Sequence, residues 1–381
     1  MWAKGENRDT VMLELEAALD RDHHFSDGHV ISSMCTKPLD IAAEAHGMFL
    51  ESNLGNAGLY PGTLDLEKQV IDAISQLLNG PADTAGGVVS GGTEANITAL
   101  WIARNITGKK KVIFPRSAHF SFHKACDILA MESVMVSLTD DFTMDLDEVA
   151  RHLDGDVAAV VGIAGTTELG AVDDIRGISE MLPENVFLHV DAAFGGFVLP
   201  FLRELGHDVP DFDLSIFGVS SIAADPHKMG MSTVPSGALL VRNREWIRTI
   251  HKDAPYLDMI GQLSALSGTR CSAAVAASYA AMRSLGRDGY TRIVEDCMKV
   301  TRHALASAER LGLEPVIEPI MNILCLRVPD PKKVQKMLDQ RGWKVSVAQN
   351  PSSLRLVMMP HVTMGSIDDL FAELEIVLGE L

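Results

Sequence analysis

Apolar residues along this chain follow two rhythms, and the switch between them lays out the fold. Val11, Met12, Leu15, Ala18 and Leu19 form a helical stripe within residues 8–20, which predicts a helix packed on another element or subunit. Residues 25–63 lose the rhythm: they are rich in Gly, Asn, Ser and Pro, and 53–62 read as irregular loop. Its apolar side chains Leu54, Leu59 and Tyr60 suit a pocket wall better than a solvated linker.

A regular beat starts at Leu64. A helix carries Val70, Ile71, Ile74, Leu77 and Leu78 on one face and stops at Gly80-Pro81. Short β-rich runs then alternate with helical ones, at 87–90, 112–114, 134–136, 157–163, 186–190, 214–217 and 238–241. Seven strands alternating with helices predict an α/β fold, a mostly parallel sheet with helices on both faces. Ligands of such sheets sit beyond the carboxyl ends of the strands. After Glu245 come two long helical stretches, 272–285 and 288–311. A βαβ-like tail follows, with strands at 314–317, 322–327, 344–347 and 354–359 and helices near 331–341 and 366–378. The division expected is an arm and pocket loop over 1–62, a large domain over 63–270 and a smaller α/β domain over 271–381.

Composition narrows the function classes. The 381 residues hold 33 Lys and Arg against 51 Asp and Glu, a net charge of −18, which argues against a nucleic-acid partner. The five cysteines are scattered, without Cys-x-x-Cys spacing, and read as reduced thiols. No apolar run is long enough to span a membrane and the N-terminus lacks a signal-peptide core, so the expected location is the cytoplasm.

Four polar clusters stand at strand ends. In the 221–242 stretch, Lys228 follows His227 between two segments that read as buried strands. Burial would disfavour its cation, and a neutral lysine amine attacks aldehydes; an ordinary loop lysine is the alternative. Ser90-Gly91-Gly92-Thr93-Glu94-Ala95-Asn96 joins a strand to a helix, where glycine backbone and helix dipole suit a phosphate, or simply a capped turn. It has neither the Lys of a Walker loop nor dinucleotide-fingerprint spacing. Asp191, in His189-Val190-Asp191-Ala192-Ala193, would keep a pyridine nitrogen protonated with a flat ring against Ala193, or would cap a helix. His119 would stack on an aromatic cofactor; zinc bound by His119, His123 and Cys126 is the weaker alternative, because no further ligand cluster is present.

A phosphate cradle, a stacking histidine, a strand-end aspartate and a lysine 37 residues beyond it occur here in that order. With 164–173, Ala-Gly-Thr-Thr-Glu-Leu-Gly-Ala-Val-Asp, and Asp225-Pro226-His227-Lys228, nearly the whole chain resembles the fold-type I pyridoxal-phosphate enzymes, within them the group II amino-acid decarboxylases. Ser33-Met34-Cys35, the 53–59 loop and Asp253-Ala254-Pro255-Tyr256-Leu257 look most like the archaeal L-tyrosine/L-aspartate decarboxylases.

The resemblance implies pyridoxal 5'-phosphate as cofactor, no metal, and a homodimer with shared active sites. It implies that Lys228 bonds to the cofactor aldehyde, with His227 beside it, and that Asp191 meets the ring nitrogen. His119 and Ala193 would flank the ring, Gly92 and Thr93 would hold the phosphate, and Thr166 or Thr167 would sit near the ring edge. Thr269 would reach the phosphate across subunits, Arg355 would bind a substrate carboxylate, and Leu59 and Tyr60 would wall the substrate pocket. Tyr256, 28 residues after Lys228, would return a proton to Cα. The implied reaction is decarboxylation of tyrosine, aspartate or both, for methanofuran and coenzyme A synthesis. Alternatives are glutamate decarboxylation, another fold-type I reaction such as an aminotransferase or cysteine desulfurase, or a binding protein on the same scaffold.

Overall fold

The computed structural model describes residues 4–252 and 266–381. The N-terminal part holds helices α1 (Arg8–Leu19), α2 (Asp40–Met48) and α3 (Pro61–Leu77). Next come β1 (Ala85–Val89), α4 (Gly92–Thr107), β2 (Lys111–Pro115), α5 (Ser121–Leu129), β3 (Glu132–Val136), α6 (Leu146–His152) and β4 (Val157–Ile163). They continue with α7 (Ile175–Met181), β5 (Phe187–Asp191), α8 (Leu199–Glu204), β6 (Val219–Ala224), β7 (Gly237–Val241) and α9 (Arg244–Ile247). After the long α10 (Ser272–Arg310) lie β8 (Ile323–Leu326), α11 (Pro331–Gln340), β9 (Ser346–Gln349), β10 (Ser352–Val357) and α12 (Met364–Gly379).

Among the described residues β1 to β7 form one sheet in the order β1-β7-β6-β5-β4-β2-β3. Only β7 runs against its neighbours, β1 and β6. The inner strands β4, β5 and β6 are buried at every position, as expected where helices cover both faces of a parallel sheet. Because β7 reverses direction, the 225–236 connection stays at the edge where β1, β2, β4 and β5 end. That edge is where Lys228, His119 and Asp191 meet.

The sixth strand lies later than its sequence pattern implies. Residues 214–217 are turns, although Leu-Ser-Ile-Phe alternates like a strand. Asp213 accepts a hydrogen bond from the Ser215 N–H, and the Arg242 guanidinium takes the carbonyls of Leu214 and Ile216 that a strand would give to its neighbour. β6 instead carries two serines into the core, where Ser220 accepts from the Leu188 N–H and Ser221 pairs with His189. Residues 25–63 are likewise more ordered than expected: they hold α2, and α3 begins at Pro61. The α2 seam against α10 consists of alanines, Ala42 against Ala277 and Ala281, so it leaves no apolar stripe in the sequence. α1 buries none of its residues in this chain; Leu13, Leu15 and Leu19 are at least 57% exposed.

The smaller C-terminal domain is built on the sheet β8-β10-β9, antiparallel at both contacts, so β8, α11 and β9 make a split βαβ unit. Residues 314–317 do not form the expected strand beyond one bridge between Pro315 and Leu326, since proline has no N–H to continue a ladder. The strand expected at 344–347 is displaced to β9, and Lys344 pairs instead with Val30 of the N-terminal segment. Gly286, at φ 58°, separates the two halves of α10, a conformation that costs glycine little. Among the described residues no helix is long and apolar enough to cross a membrane.

One buried ion pair ties three parts of the large sheet's surroundings together. Arg270, just before α10, pairs with Glu67 of α3 and donates to the Val88 carbonyl at 2.9 Å, while Glu67 accepts from the Val88 N–H at 2.9 Å. Both side chains are 7% exposed, so removing Glu67 breaks a buried ion pair and takes away the acceptor of the Val88 N–H. Glu67→Ala is expected to lower unfolding free energy by about 3–5 kcal/mol, measured by denaturant titration. A loss below 1 kcal/mol would mean the pair is hydrated.

Candidate active site

The carboxyl ends of β1, β2, β4, β5 and β6 surround a cavity of about 300 Å³. Its lining includes Gly92, Thr93, His119, Thr167, Asp191, Ala193, His227 and Lys228, eight residues singled out from the sequence. It also includes Asn96, Phe120 and Asp225, to which the sequence assigned no role.

Lys228 is half-buried, and its setting is ionic rather than apolar. Nζ lies 3.2 Å from Asp225 Oδ2, and His227 Nε2 lies 3.8 Å from the same oxygen. Asp225 is 1% exposed, and its second oxygen, Oδ1, has no hydrogen-bond partner among the described residues. The carboxylate is therefore the buried counter-charge that holds the Lys228 side chain in place. The Asp-x-x-Lys spacing puts both groups on one turn, the signal from which this pairing is readable. Cys35 adjoins them: burial pushes its thiol up, an effect that Lys228 offsets and Asp225 adds to.

The cradle follows from two glycines. Gly91 has φ +150°, where a side chain is strained, and a Cβ on it would come 3.1 Å from His227 Cε1. A Cβ on Gly92 would come 3.0 Å from Ala193 Cβ and 3.1 Å from Asp225 Oδ2. α4 begins at Gly92, so the first-turn N–H groups of Gly92 and Thr93 have no intrahelical partner and lie at the positive end of the helix dipole. Glu94 turns away from them, accepting from the Ser90 N–H at 2.7 Å and from Ser267.

Asp191 ends β5. Its Oδ1 accepts from the Ala193 N–H at 3.0 Å and its Oδ2 from Asn96 Nδ2 at 2.9 Å, so it is not a helix cap. His119 lies in the loop before α5, with Nδ1 held by Ser121, and burial lowers its pKa so that it is neutral at pH 7. Because His119 precedes α5 and Cys126 packs in the core, the helical spacing a His119–His123–Cys126 metal site requires is not formed. These residues fit pyridoxal phosphate: free N–H groups for its phosphate, a small residue and a neutral imidazole for its ring faces, a carboxylate for its nitrogen and an amine for its aldehyde.

The remaining candidates stand elsewhere in this single chain. Thr166 is buried with Oγ1 accepting from the Ala171 N–H, so of the two threonines only Thr167 lines the cavity. Leu59 is 68% exposed, and the Tyr60 hydroxyl donates to the Glu51 carbonyl; neither lines the cavity. Thr269 is exposed outside it. Arg355, on β10, donates from Nη1 to the Ser32 carbonyl and Ser346 Oγ, both at 3.1 Å. Its Nε and Nη2 are buried without a partner among the described residues, and burial lowers its pKa. Tyr256, with the rest of the 253–257 motif, lies outside the described residues.

Two buried groups near the site have opposite linkage to pH. Burial depresses His189 to about 4 against the opposing effect of Asp191, so between its ordinary 6.5 and 4 the unfolded chain takes the proton first and acid favours unfolding. Burial raises Asp173, which holds the Ile163 and Met144 N–H groups, to about 6; between 6 and 3.8 the folded chain takes the proton first and acid favours folding. The two contributions largely cancel in the intact protein. The stability difference between His189→Gln and the parent should therefore move by about 3 kcal/mol in the variant's favour from pH 7 to pH 4. A pH-independent difference, by denaturant melts at each pH, would contradict the buried neutral imidazole.

Comparison with known proteins agrees with this geometry. The pyridoxal-dependent decarboxylase conserved domain matches residues 23–328. A probable L-tyrosine/L-aspartate decarboxylase of Methanothrix thermoacetophila is 45% identical over 381 residues, covering 99% of this chain and 97% of the relative. An L-aspartate/L-glutamate decarboxylase of Pyrococcus horikoshii is 41% identical, covering 98% of each. Among solved structures, the sphingosine-1-phosphate lyase of Burkholderia pseudomallei superposes with a TM-score of 0.90 at 26% identity, covering 100% of this chain and 92% of that one.

Proposed function

The chain belongs to the pyridoxal-dependent decarboxylase family, and on that premise we propose that it removes the α-carboxylate of L-tyrosine, L-aspartate or both. It is a pyridoxal-phosphate-dependent carboxy-lyase acting on an amino acid. The observation that carries the proposed site is the convergence of Lys228, Asp191, His119 and the Gly92-Thr93 cradle on one cavity.

Bound pyridoxal phosphate supplies an electron sink for the pair left when carbon dioxide departs. Gly92 and Thr93 would hold the phosphate through the start of α4, and Asp191 would keep the ring nitrogen protonated. His119 and Ala193 would confine the ring between them, Thr167 stands at the edge of the cavity, and Asp225 is the counter-charge to Lys228 with His227 beside it. Arg355 orients a substrate carboxylate; the reading is supported by two buried guanidinium nitrogens that lack a partner among the described residues. Gripping the departing carboxylate tightly would stabilise the ground state, so orientation or side-chain binding is the productive role. Leu59, Tyr60 and Thr269 act, in this reading, across a dimer interface. A dimer is supported by α1, whose apolar stripe has nothing to cover it among the described residues. Tyramine and β-alanine as products would serve methanofuran and coenzyme A synthesis, in the cytoplasm.

Tyr256 donates the proton that Cα receives after the carboxylate leaves. Tyr256→Phe is expected to lower kcat about 100-fold or more and to raise aldehyde side products; wild-type turnover without side products would remove the assignment. The substrate is tested by measuring carbon dioxide release from tyrosine, aspartate and glutamate in parallel. Release from tyrosine or aspartate at the highest kcat/KM is expected, and a preference for glutamate would replace this reading.

A further inference from the structure

Behind the cavity a closed set of polar side chains joins Asp191 to His119. Asn96, Ser121, His189 and Ser221 are each at most 1% exposed. Asn96 Nδ2 lies 2.9 Å from Asp191 Oδ2 and 3.0 Å from Ser121 Oγ, and its Oδ1 lies 2.9 Å from His189 Nε2. His189 Nδ1 lies 2.7 Å from Ser221 Oγ, and Ser121 Oγ lies 3.0 Å from His119 Nδ1.

The direction of every bond in this set is determined. The Asp191 carboxylate only accepts, so the Asn96 amide must present N–H to it and turn its carbonyl to His189. That carbonyl only accepts, so His189 carries its proton on Nε2, and its Nδ1 accepts from the Ser221 hydroxyl. The second Asn96 N–H goes to Ser121, whose hydroxyl is left to donate to His119 Nδ1. The Ser121 N–H points at the same nitrogen from 3.3 Å. His119 therefore carries its own proton on Nε2, which has no hydrogen-bond partner among the described residues. With every other donor of the set matched to an acceptor, reversing any one bond would leave a buried group unpaired, at a cost of about 1–3 kcal/mol.

We propose that Asn96 and His189 are positioning residues that fix, as one unit, the direction in which Asp191 accepts and the nitrogen on which His119 carries its proton. Asp191 is thereby held as the group that meets the ring nitrogen while His119 is kept in a single tautomer over the ring face; this part rests on the cavity being the pyridoxal phosphate site. Neither residue needs to touch a reacting atom.

The test begins with the cofactor-free protein, labelled with 15N-histidine. Long-range 15N–1H spectra should show His119 and His189 protonated on Nε2 alone, and in Asn96→Leu His119 should lose its single tautomer. Pyridoxal phosphate affinity, by fluorescence titration, should fall about tenfold in Asn96→Leu and His189→Leu. His189→Gln, whose amide donates to Asn96 and accepts from Ser221, should stay within about threefold of the parent. Unchanged His119 spectra in Asn96→Leu, or equal losses in His189→Gln and His189→Leu, would overturn the proposal. Should Asn96→Leu fail to fold, the His189 pair decides. If the parent binds no pyridoxal phosphate yet shows these tautomers, the cofactor reading fails while the network stands.

Discussion

Replacing Lys228 by alanine is expected to lower kcat at least about 1,000-fold while leaving the fold intact. Among the described residues the lysine supplies the only amine in the cavity lining, and no neighbour there replaces it: Asp225 lacks a nucleophilic nitrogen, and the His227 Nδ1 faces the Ser236 backbone. The side chain is only part-buried and its loss removes one partner of an ion pair, so Asp225 left alone is the main stability risk. A circular dichroism melt of Lys228→Ala separates that risk from the catalytic effect. Cofactor should still bind through the Gly92-Thr93 cradle and Asp191, with the absorption of free rather than lysine-bound aldehyde. More than a tenth of parental activity in Lys228→Ala would remove the lysine from the chemistry.

The second large effect is expected at Asp191. Asp191→Asn keeps size and shape but takes away the charge that holds the ring nitrogen protonated, and a fall in kcat of about 100- to 1,000-fold is expected. The amide also cannot accept both of the bonds that Asp191 accepts. It meets N–H donors from Ala193 and from Asn96, and its own NH₂ must face one of them. Part of the loss should therefore appear as weaker cofactor binding. Comparing kcat at saturating pyridoxal phosphate with the dissociation constant divides the two parts. Full kcat at saturation would mean that the ring does not need its proton held.

Strand-end chemistry made much of this site legible before any coordinates. Gly92, Thr93, His119, Asp191 and Lys228 each follow a β-rich run, and a parallel sheet brings such positions together whatever lies between them. What escaped is chemistry made by pairs distant in the chain. Asn96 meets Asp191 across 95 residues and His189 across 93, and nothing local in either segment signals the meeting. Two element errors have the same origin. Residues 214–217 alternate like a strand, yet Arg242 claims their carbonyls. The serines of β6 are held in the core by His189 and the Leu188 N–H, partners on another strand. α2 went unseen because alanine against alanine makes a packed seam without an apolar stripe.

Apolar flanking residues also masked the character of the lysine's surroundings. Two apolar flanks suggest a desolvated amine, whereas Asp225, three residues earlier on the same turn, gives it a carboxylate partner. The Asp-Pro-His-Lys motif thus carries the lysine's counter-charge within itself.

The most direct test of the central claim is to reduce the pyridoxal-phosphate-loaded enzyme with borohydride and map the labelled peptide by mass spectrometry. A single pyridoxyl label on Lys228 is the expected result. A label on another lysine, or none on a protein that nevertheless releases carbon dioxide from its substrate, would contradict the site described for this chain.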